Sequence, residues 1–338
     1  MSVKHANIAL FVPHIGCPNQ CSFCDQHSIT GRVDAPTAKD VDRAVETALS
    51  SGKVVREQTE IAFFGGSFTA IEEAYRRSLL QAASKWVENG TVSGIRISTR
   101  PDAITDEILQ QCKRYHVTAI ELGAQSLEDR VLQQNHRGHT AQDVVEASRK
   151  IREHGFSLGL QMMTGLYGDC DETCLKTARK IIELKPDTVR IYPTVVLKNT
   201  ALARFYEQGK YRPQTVEEAV KLGAELLQMF YAADISVIRF GLHTVSKEDF
   251  VAGPWHPALR ELCESEWYYR LLTEKLQEQG RYLVRVGKSA VSKTVGHKKA
   301  NLLRLKNSGY DCRVAVEDIL KDYEIEIEKM KEGEAECY

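Results

Sequence analysis

The chain has 338 residues, a formal net charge of −1, 43% hydrophobic residues and 27% charged residues. These values are typical of a globular protein with a sizeable core, and the near-neutral charge argues against a surface that coats nucleic acid non-specifically. No stretch approaches the roughly 18 apolar residues of a membrane span, and the N-terminus lacks the residue order of a signal peptide. We therefore expect a cytoplasmic protein with no membrane partner.

Short apolar runs alternate with helical patterns through the first two thirds of the chain. Strands are predicted at residues 7–13, 60–64, 94–99, 119–123, 156–163 and 188–193, and helices at 37–51, 71–88, 105–115, 140–154 and 171–184. This alternation predicts an α/β fold with a parallel sheet wrapped by helices. Six units predict a partial (βα)6 TIM-like barrel, with chemistry at the C-terminal ends of its strands.

After Pro193 the pattern loosens. Helices are predicted at residues 201–208, 215–233 and 257–279, a strand at 235–240, and a Val-rich, hairpin-like segment at 282–295. Gly253 and Pro254 interrupt the pattern. We expect a barrel domain at residues 1–250 and a small α+β C-terminal extension at 251–338.

The C-terminal part divides by charge. From Arg281 to Asn307 there are eight Lys/Arg and no Asp/Glu, whereas residues 311–338 carry ten Asp/Glu against four Lys/Arg. A solvated surface with neutralising partners is one interpretation. The other is a basic face that meets a phosphate-bearing substrate such as tRNA.

Three of the nine cysteines crowd into one short loop after the first strand, at Cys17, Cys21 and Cys24. Thiolates select iron–sulfur clusters or zinc, and a C-x3-C-x2-C loop offers three ligands rather than the four of a structural zinc site. His14 or His27 could complete a zinc site. The favoured interpretation is a cubane cluster with one iron that is open to a substrate.

This spacing, with the aromatic Phe23 before the last cysteine, resembles the signature of the radical S-adenosylmethionine (SAM) superfamily. The resemblance implies a [4Fe–4S] cluster whose open iron chelates SAM and whose electron releases a 5′-deoxyadenosyl radical. Gly65, Gly66 and Ser67 resemble the glycine motif whose backbone binds the methionine amino group. An external donor such as ferredoxin or flavodoxin would supply the electron.

Polar or glycine-containing segments follow the later strands at residues 98–102, 121–126, 135–140, 162–168 and 190–194. Together they resemble the radical domain of the Elongator catalytic subunit and its bacterial relatives, over about residues 5 to 245. The resemblance implies that Gln125, Arg137 and Gln161 touch the ribose or carboxylate of SAM, and an arginine fork suits a carboxylate. Oxygen-independent coproporphyrinogen oxidases are more distantly similar.

Three features depart from the Elongator pattern. The subunit spaces its first two cysteines further apart, and Ser98 stands where the relatives usually carry a glutamate. The sequence has no counterpart of the acetyltransferase domain, so acetyl-CoA-dependent chemistry is not expected of it.

Further candidates lie beyond these motifs. Tyr192 is a candidate for the radical site, and His243 and His256 are candidates for its substrate side, where a neutral imidazole could relay protons after hydrogen abstraction. Cys170 and Cys174 lie four apart at a helix start and could bind a second metal, although a core or surface role is the commoner outcome.

Three functions follow from these patterns. The leading hypothesis is a radical enzyme that modifies a nucleobase in tRNA. The second is radical chemistry on a small anionic metabolite such as a tetrapyrrole-like carboxylate. The third, from another class, is a non-catalytic, metal-containing binding module.

Overall fold

The computed structural model describes residues 6–12, 17, 20–24, 35–52, 54–242 and 245–330. The predicted site residue His243 and the zinc candidates His14 and His27 therefore lie outside the described residues. The chain divides into two compact units. The first comprises Met1–Gln214 and Phe230–Pro254, and the second comprises Thr215–Met229 and Trp255–Tyr338.

The first unit contains a parallel sheet whose strands lie side by side in chain order. Its strands are β1 (Ala6–Val12), β2 (Thr59–Gly65), β3 (Gly94–Thr99), β4 (Val117–Gln125), β5 (Ser157–Thr164), β6 (Thr188–Pro193) and β8 (Ser236–Phe240). A two-stranded ribbon of β7 (Val196–Leu197) and β9 (Phe250–Ala252) accompanies the sheet. The α/β fold and the partial barrel are thus confirmed.

The predicted number of strands in the sheet was one too low. Seven described strands form it, because β8 pairs in parallel with β6. The sequence does suggest a strand at residues 235–240, but the connection that precedes it is long and contains a ribbon strand and two helices. Because of this long connection, regular spacing of strands and helices does not predict that β8 joins the sheet.

Among the described residues up to Gln214, the first unit has seven helices, and all but the helix Asp129–Gln134 follow the predicted positions. They are α1 (Ala38–Ser50), α2 (Glu73–Glu88), α3 (Asp106–Arg114), α4 (Asp129–Gln134), α5 (Ala141–Glu153), α6 (Asp171–Glu183) and α7 (Ala201–Glu207). Thr140 caps α5 through its side chain, which accepts a hydrogen bond from Asp143 N–H, as its position in the sequence suggests. Within the described residues, no helix is long and apolar enough to cross a membrane.

The central strands are apolar because helices cover the outer face of the sheet. Ile61, Phe63, Ile95, Ile97 and Ile120 are fully buried. Each side chain of this size stabilises the fold by roughly 1.5–3 kcal/mol when it is removed from water. The core thereby fixes the strand ends from which the candidate site is built.

The second unit is an α+β layer around a three-stranded sheet. Its elements are α9 (Leu259–Lys275), β10 (Gly280–Val286), α10 (Val291–Val295), α11 (Ala300–Asn307), β11 (Tyr310–Val316) and β12 (Ile325–Lys329), and α8 (Val216–Ala232) begins in it. The central strand β10 pairs in parallel with β11 and antiparallel with β12.

The hairpin predicted at residues 282–295 was wrong. The first half is strand β10, but the chain then turns at Gly287 and becomes helical through Val295. Val284 and Val286 face the core of this unit, which explains the valine pattern of the strand half. The partner strands of β10 come from later in the chain, so the local sequence resembled half of a hairpin.

Candidate active site

One cleft at the C-terminal ends of strands β2 to β5 gathers most of the predicted site residues. It spans about 570 Å³ of space between protein atoms, open solvent included, and is also lined by Thr99, Arg100 and Gly123. The predicted residues that line it are Cys17, Cys21, Cys24, Phe23, Gly65, Gly66, Ser67, Ser98, Gln125, Arg137 and Gln161. Residues that are up to 144 positions apart in the sequence thus meet at one place, as expected for parallel strands with a common C-terminal edge.

The cysteine loop is held in place by a buried serine. Ser22 is fully buried, and its hydroxyl donates to Asn135 Oδ1 at 2.7 Å. Ser22 N–H also donates to the Asn135 carbonyl at 3.2 Å, and its own carbonyl accepts from Leu202 N–H at 2.7 Å. The end of α4 and the start of α7 therefore fix the backbone between Cys21 and Cys24.

Phe23 contributes packing as well as a wall of the cleft. It lies against a small apolar cluster that includes Val196, Leu202 and Tyr211. Because the ring is anchored on this cluster, it fixes the direction in which the adjacent Cys24 enters the cleft.

Two arginines set the electrostatics around the thiols. Arg137 Nη1 donates to Cys21 Sγ at 3.2 Å, and Arg100 and Arg137 both act on Cys17. Burial nevertheless raises the pKa of the Cys17 thiol, against the influence of a hydrogen bond from Ser67 N–H. Arg100 is itself bound by Asp102 through both of its carboxylate oxygens.

Gly65 is the position where the backbone most clearly requires glycine. Its φ is +105°, and a Cβ there would lie 2.5 Å from the Val12 carbonyl oxygen. Gly66 N–H donates to the same carbonyl at 2.7 Å. The close approach of β1 and β2 at this point directs the following residue, Ser67, to Thr99 Oγ1 at 3.0 Å.

Two buried polar atoms next to the cleft have unused hydrogen-bonding capacity. Gln125 Oε1 and Arg137 Nε have no hydrogen-bond partner within the described residues. Gln125 has φ +63°, in the left-handed region, and lies at an irregularity in the pairing of β4 with β5. Unsatisfied buried polar groups cost about 1–3 kcal/mol each, so they indicate a place for a polar ligand.

Ser98 and Gln161 connect the cleft to charged groups inside the barrel. Gln161 Nε2 donates to Glu121 Oε2 at 2.9 Å and approaches Ser98 Oγ at 3.4 Å. Glu121 also accepts two hydrogen bonds from Arg190, at 2.7 and 2.9 Å. The glutamine is therefore held in one orientation at the floor of the cleft.

Tyr192 is not among the described residues that line this cleft. Tyr192 lies on β6 within hydrogen-bonding reach of Arg190, and burial raises the pKa of its hydroxyl. His256 belongs to the second unit, where its Nδ1 accepts from Ala258 N–H at 3.1 Å.

The pair Cys170 and Cys174 shows no sign of a shared metal. Cys174 is buried and its thiol donates to Asp169 Oδ2 at 3.0 Å, whereas Cys170 is exposed. Within the described residues, no three Cys, His, Asp or Glu side chains converge on one metal ion. Thiolates that each bind a different iron of a cluster need not converge on a single point.

Sequence reasoning missed the residues that support the site. Ser22 and Glu121 are not candidates on their own, and their importance comes from partners 113 and 69 positions away. The available signals were the polar Ser22 between two cysteines and the charged Glu121 inside a largely apolar strand. Neither signal identifies the partner.

Comparison with known proteins agrees with this geometry. The sequence is 26% identical to a tRNA uridine(34) acetyltransferase of Dehalococcoides mccartyi over 61% of this chain and 52% of that protein. It is 29% identical to Elongator complex protein 3 of Schizosaccharomyces pombe over 55% of this chain and 38% of that protein. The chain thus spans about half, or less, of the length of these relatives.

A solved structure shares the fold. The archaeal Elp3 of Methanocaldococcus infernus, with an N-terminal deletion, superposes with a TM-score of 0.63 at 20% identity. The similarity covers 83% of this chain and 66% of that one.

Two family descriptions account for most of the chain. Residues 186–269 match the radical SAM C-terminal domain. Residues 11–181 match the radical SAM superfamily itself, and this match includes all three cleft cysteines. The chain therefore belongs to the radical SAM superfamily, whose members are enzymes that use a [4Fe–4S] cluster and S-adenosylmethionine.

Proposed function

We propose that this enzyme holds its cluster on Cys17, Cys21 and Cys24, binds SAM in the adjoining cleft, and modifies a nucleobase in tRNA. The single observation that carries the proposal is the cleft itself. It places three thiols beside glycine backbone and beside two buried polar atoms that lack partners within the described residues.

The residues present fit both cofactors. The three thiols of the cleft supply soft ligands for three irons, and none of the other described cysteines lines it. Gly65 offers exposed backbone, and Gln125 Oε1 and Arg137 Nε offer an acceptor and a donor for a polar ligand. A neutral apolar ligand would leave these atoms unsatisfied.

When bound, the two cofactors supply a 5′-deoxyadenosyl radical that abstracts hydrogen from a substrate. The chain's own residues bind and orient them. We assign Ser67, Ser98, Gln125, Arg137 and Gln161 to SAM, with Arg137 as the donor to its carboxylate. Ser98 has a shorter side chain than the glutamate that the relatives usually carry there, so Gln161, held by its hydrogen bond to Glu121, supplements the contact of Ser98 with SAM.

Arg137 links the two cofactor sites. Its Nη1 donates to Cys21 Sγ and its Nη2 to the Gly123 carbonyl at 2.6 Å, which leaves Nε for the bound ligand. Burial raises the pKa of the nearby Cys17 thiol, and the positive charge of Arg137 acts in the opposite direction because it stabilises the thiolate. Tyr192 and His243 are assigned to the substrate side of the reaction.

The tRNA substrate is supported by two independent features. The relatives include proteins described as tRNA uridine(34) acetyltransferases. The segment from Arg281 to Asn307 is strongly basic. Phosphate contacts from lysine and arginine supply affinity and register without reading sequence.

The structure divides this basic segment into two groups. Arg281, Arg285, Lys293 and Arg304 form ion pairs with Asp311, Glu328, Glu264 and Glu266. The side chains of Lys288, Lys298, Lys299 and Lys306 are exposed, and none makes an ion pair with another described residue. We assign the phosphate contacts to this second group and the reducing electron to ferredoxin or flavodoxin.

The test is anaerobic incubation of the reconstituted enzyme with SAM, reductant and tRNA from a strain that lacks the gene. We expect 5′-deoxyadenosine together with a new mass in the digested nucleosides, and the same nucleoside should be missing from the deletion strain. An unchanged nucleoside profile in both samples would contradict the tRNA assignment.

A cofactor control makes this result specific. The Cys24→Ala variant, incubated with the same tRNA, should give neither product. If the new nucleoside forms without 5′-deoxyadenosine, the modification does not use the radical cofactor of this cleft.

A further inference from the structure

A row of polar side chains crosses the inner face of the sheet from the cleft to the last strand. We call Ser98, Glu121, Gln161, Arg190 and Arg239 the interior polar row. Ser98 is the register partner of Glu121, Gln161 of Arg190, and Arg190 of Arg239. Register partners on adjacent parallel strands project to the same face. One end of the row, at Ser98 and Gln161, lines the cleft.

A bulge brings Arg239 into this row. Val189 pairs with Val237, but the next residue, Arg190, pairs with Arg239, so Ile238 is the extra residue of β8. Ile238 is 40% exposed, while Arg239 is half-buried on the inner face. Bulges often occur beside functional sites, where they redirect one side chain.

The carboxylates of the interior are already engaged by other arginines. Glu121 accepts from Nε and Nη2 of Arg190 and from Arg96 Nη1 at 3.3 Å, and Glu60 accepts from Arg96 Nε at 2.8 Å. Among the described residues, the three interior arginines Arg96, Arg190 and Arg239 thus face two glutamates, which leaves one positive charge without a carboxylate.

That remaining charge is on Arg239. Its Nε donates to the Gly241 carbonyl at 2.9 Å. The titratable groups that act on it within the described residues are Tyr192 and Arg190, and neither is a carboxylate. A partly desolvated guanidinium without a counter-charge is costly, and such a group is retained where a ligand neutralises it.

We propose that Arg239 and the Tyr192 hydroxyl beside it bind an anionic group of the substrate, a phosphate or a carboxylate, inside the partial barrel. The planar fork of arginine matches both groups through two parallel hydrogen bonds. The inference rests on the proposed function, because it places the substrate at the end of the interior polar row opposite the SAM cleft. The anionic group of the substrate would then be held at Arg239, and the uncharged part of the substrate would point toward the cleft.

The test uses the full reconstituted chain with SAM bound and three probes: a uridine trinucleotide, uridine and glutarate. Affinities are measured by anaerobic titration calorimetry for the wild type, Arg239→Gln, Arg239→Lys and Tyr192→Phe. Arg130→Gln is the matched control, because Arg130 also donates to a single backbone carbonyl, that of Gly168, but is exposed. Cluster content and 5′-deoxyadenosine formed without substrate report whether each variant folds and holds its cofactors.

We expect Arg239→Gln to lower the affinity for one of the two anionic probes, the trinucleotide or glutarate, by about tenfold or more. A hydrogen bond to a charged group is strong enough for a loss of this size. The affinity for uridine should change less than about twofold, and Arg239→Lys should restore part of the lost affinity. Cluster content and 5′-deoxyadenosine formation should stay at the level of the Arg130→Gln control. A loss of affinity for the trinucleotide identifies the bound anionic group as a phosphate. Loss for glutarate alone identifies a carboxylate, and this result would retain the subsite while removing support for tRNA.

Two results would overturn the inference. One is an Arg239→Gln variant that binds the trinucleotide and glutarate as tightly as the Arg130→Gln control does. The other is a wild-type enzyme that binds neither anion measurably.

Discussion

The cysteine cleft of the first unit and the basic segment of the second unit use polar groups in opposite ways. In the cleft, Gln125 Oε1 and Arg137 Nε are buried and lack hydrogen-bond partners within the described residues. In the basic segment, half of the cations are paired with carboxylates and the others are exposed to water.

This difference separates strong evidence for a ligand from weak evidence. A buried polar atom pays its desolvation cost whether or not a partner is present, so an unsatisfied one indicates a ligand. An exposed lysine is solvated and costs nothing when it is left alone. Changes in the cleft should therefore abolish function, whereas changes in the basic segment should only weaken it.

The largest effect is expected at a cysteine of the cleft. Cys17→Ala removes one of the three proposed cluster ligands, so iron content and SAM cleavage should fall to background. The measurement is iron and sulfide analysis, with chromatography of 5′-deoxyadenosine. Cys170→Ala is the matched control because Cys170 is exposed and does not line the cleft. Equal losses in the two variants would contradict the assigned ligands.

A loss of about 100-fold in SAM cleavage is expected for Gly65→Ala. The added Cβ meets the Val12 carbonyl at 2.5 Å, and a shift of about 1 Å in a positioned group can cost this much. Gly155→Ala is the control because Gly155 also has a positive φ, +81°, but no atom lies within 4 Å of its added Cβ. Both variants should lose some stability, but only Gly65→Ala should lose activity.

The buried His139 should make the stability of the first unit dependent on pH. Burial lowers the pKa of His139 to about 4, and its Nε2 donates to the Ala124 carbonyl at 3.1 Å. In the unfolded chain His139 is protonated below about pH 6.5, whereas in the folded chain it stays neutral down to about pH 4. The free energy of unfolding therefore falls as the pH drops from 6.5 toward 4. Between pH 7 and pH 5 the loss from this group is about 2 kcal/mol.

Urea unfolding of the wild type and His139→Gln at both pH values measures this contribution. The variant should lose about 2 kcal/mol less than the wild type between pH 7 and pH 5. Parallel losses in the two proteins would show that His139 is accessible to protons in the folded state.

The smallest effect is expected in the basic segment. Replacing Lys298 and Lys299 with Gln should lower the salt dependence of tRNA binding by about two counterions and leave SAM cleavage without tRNA unchanged. The measurement is a filter-binding titration at several salt concentrations. Arg281→Gln with Arg285→Gln is the control, because those arginines are engaged by Asp311 and Glu328. A larger loss in the control would reverse the assignment of the two groups.

The sequence predicted the barrel because each strand–helix unit carries its own pattern. The apolar runs around Ile61 and Ile97 and the cap at Thr140 are local signals that the structure retains. The strand at β8 and the segment after Gly287 were harder to place, because the partners that define them lie far away in the chain.

The cleft was predictable for a similar reason. Its cysteines and glycines form short motifs at strand ends, and parallel strands bring such ends together. The pairing of Ser22 with Asn135 and of Glu121 with Arg190 was not predictable, because hydrogen bonds between distant residues leave no periodic trace. Arg239 was not predictable either, because its inward position depends on a bulge rather than on strand alternation.

The most direct measurement of the central claim is electron paramagnetic resonance of the reconstituted, reduced enzyme before and after addition of SAM. We predict the signal of a [4Fe–4S]⁺ cluster whose g-values shift when SAM is added, because one iron is open to it. A signal that SAM leaves unchanged, or a cluster that persists when Cys17, Cys21 and Cys24 are all replaced with alanine, would contradict the account.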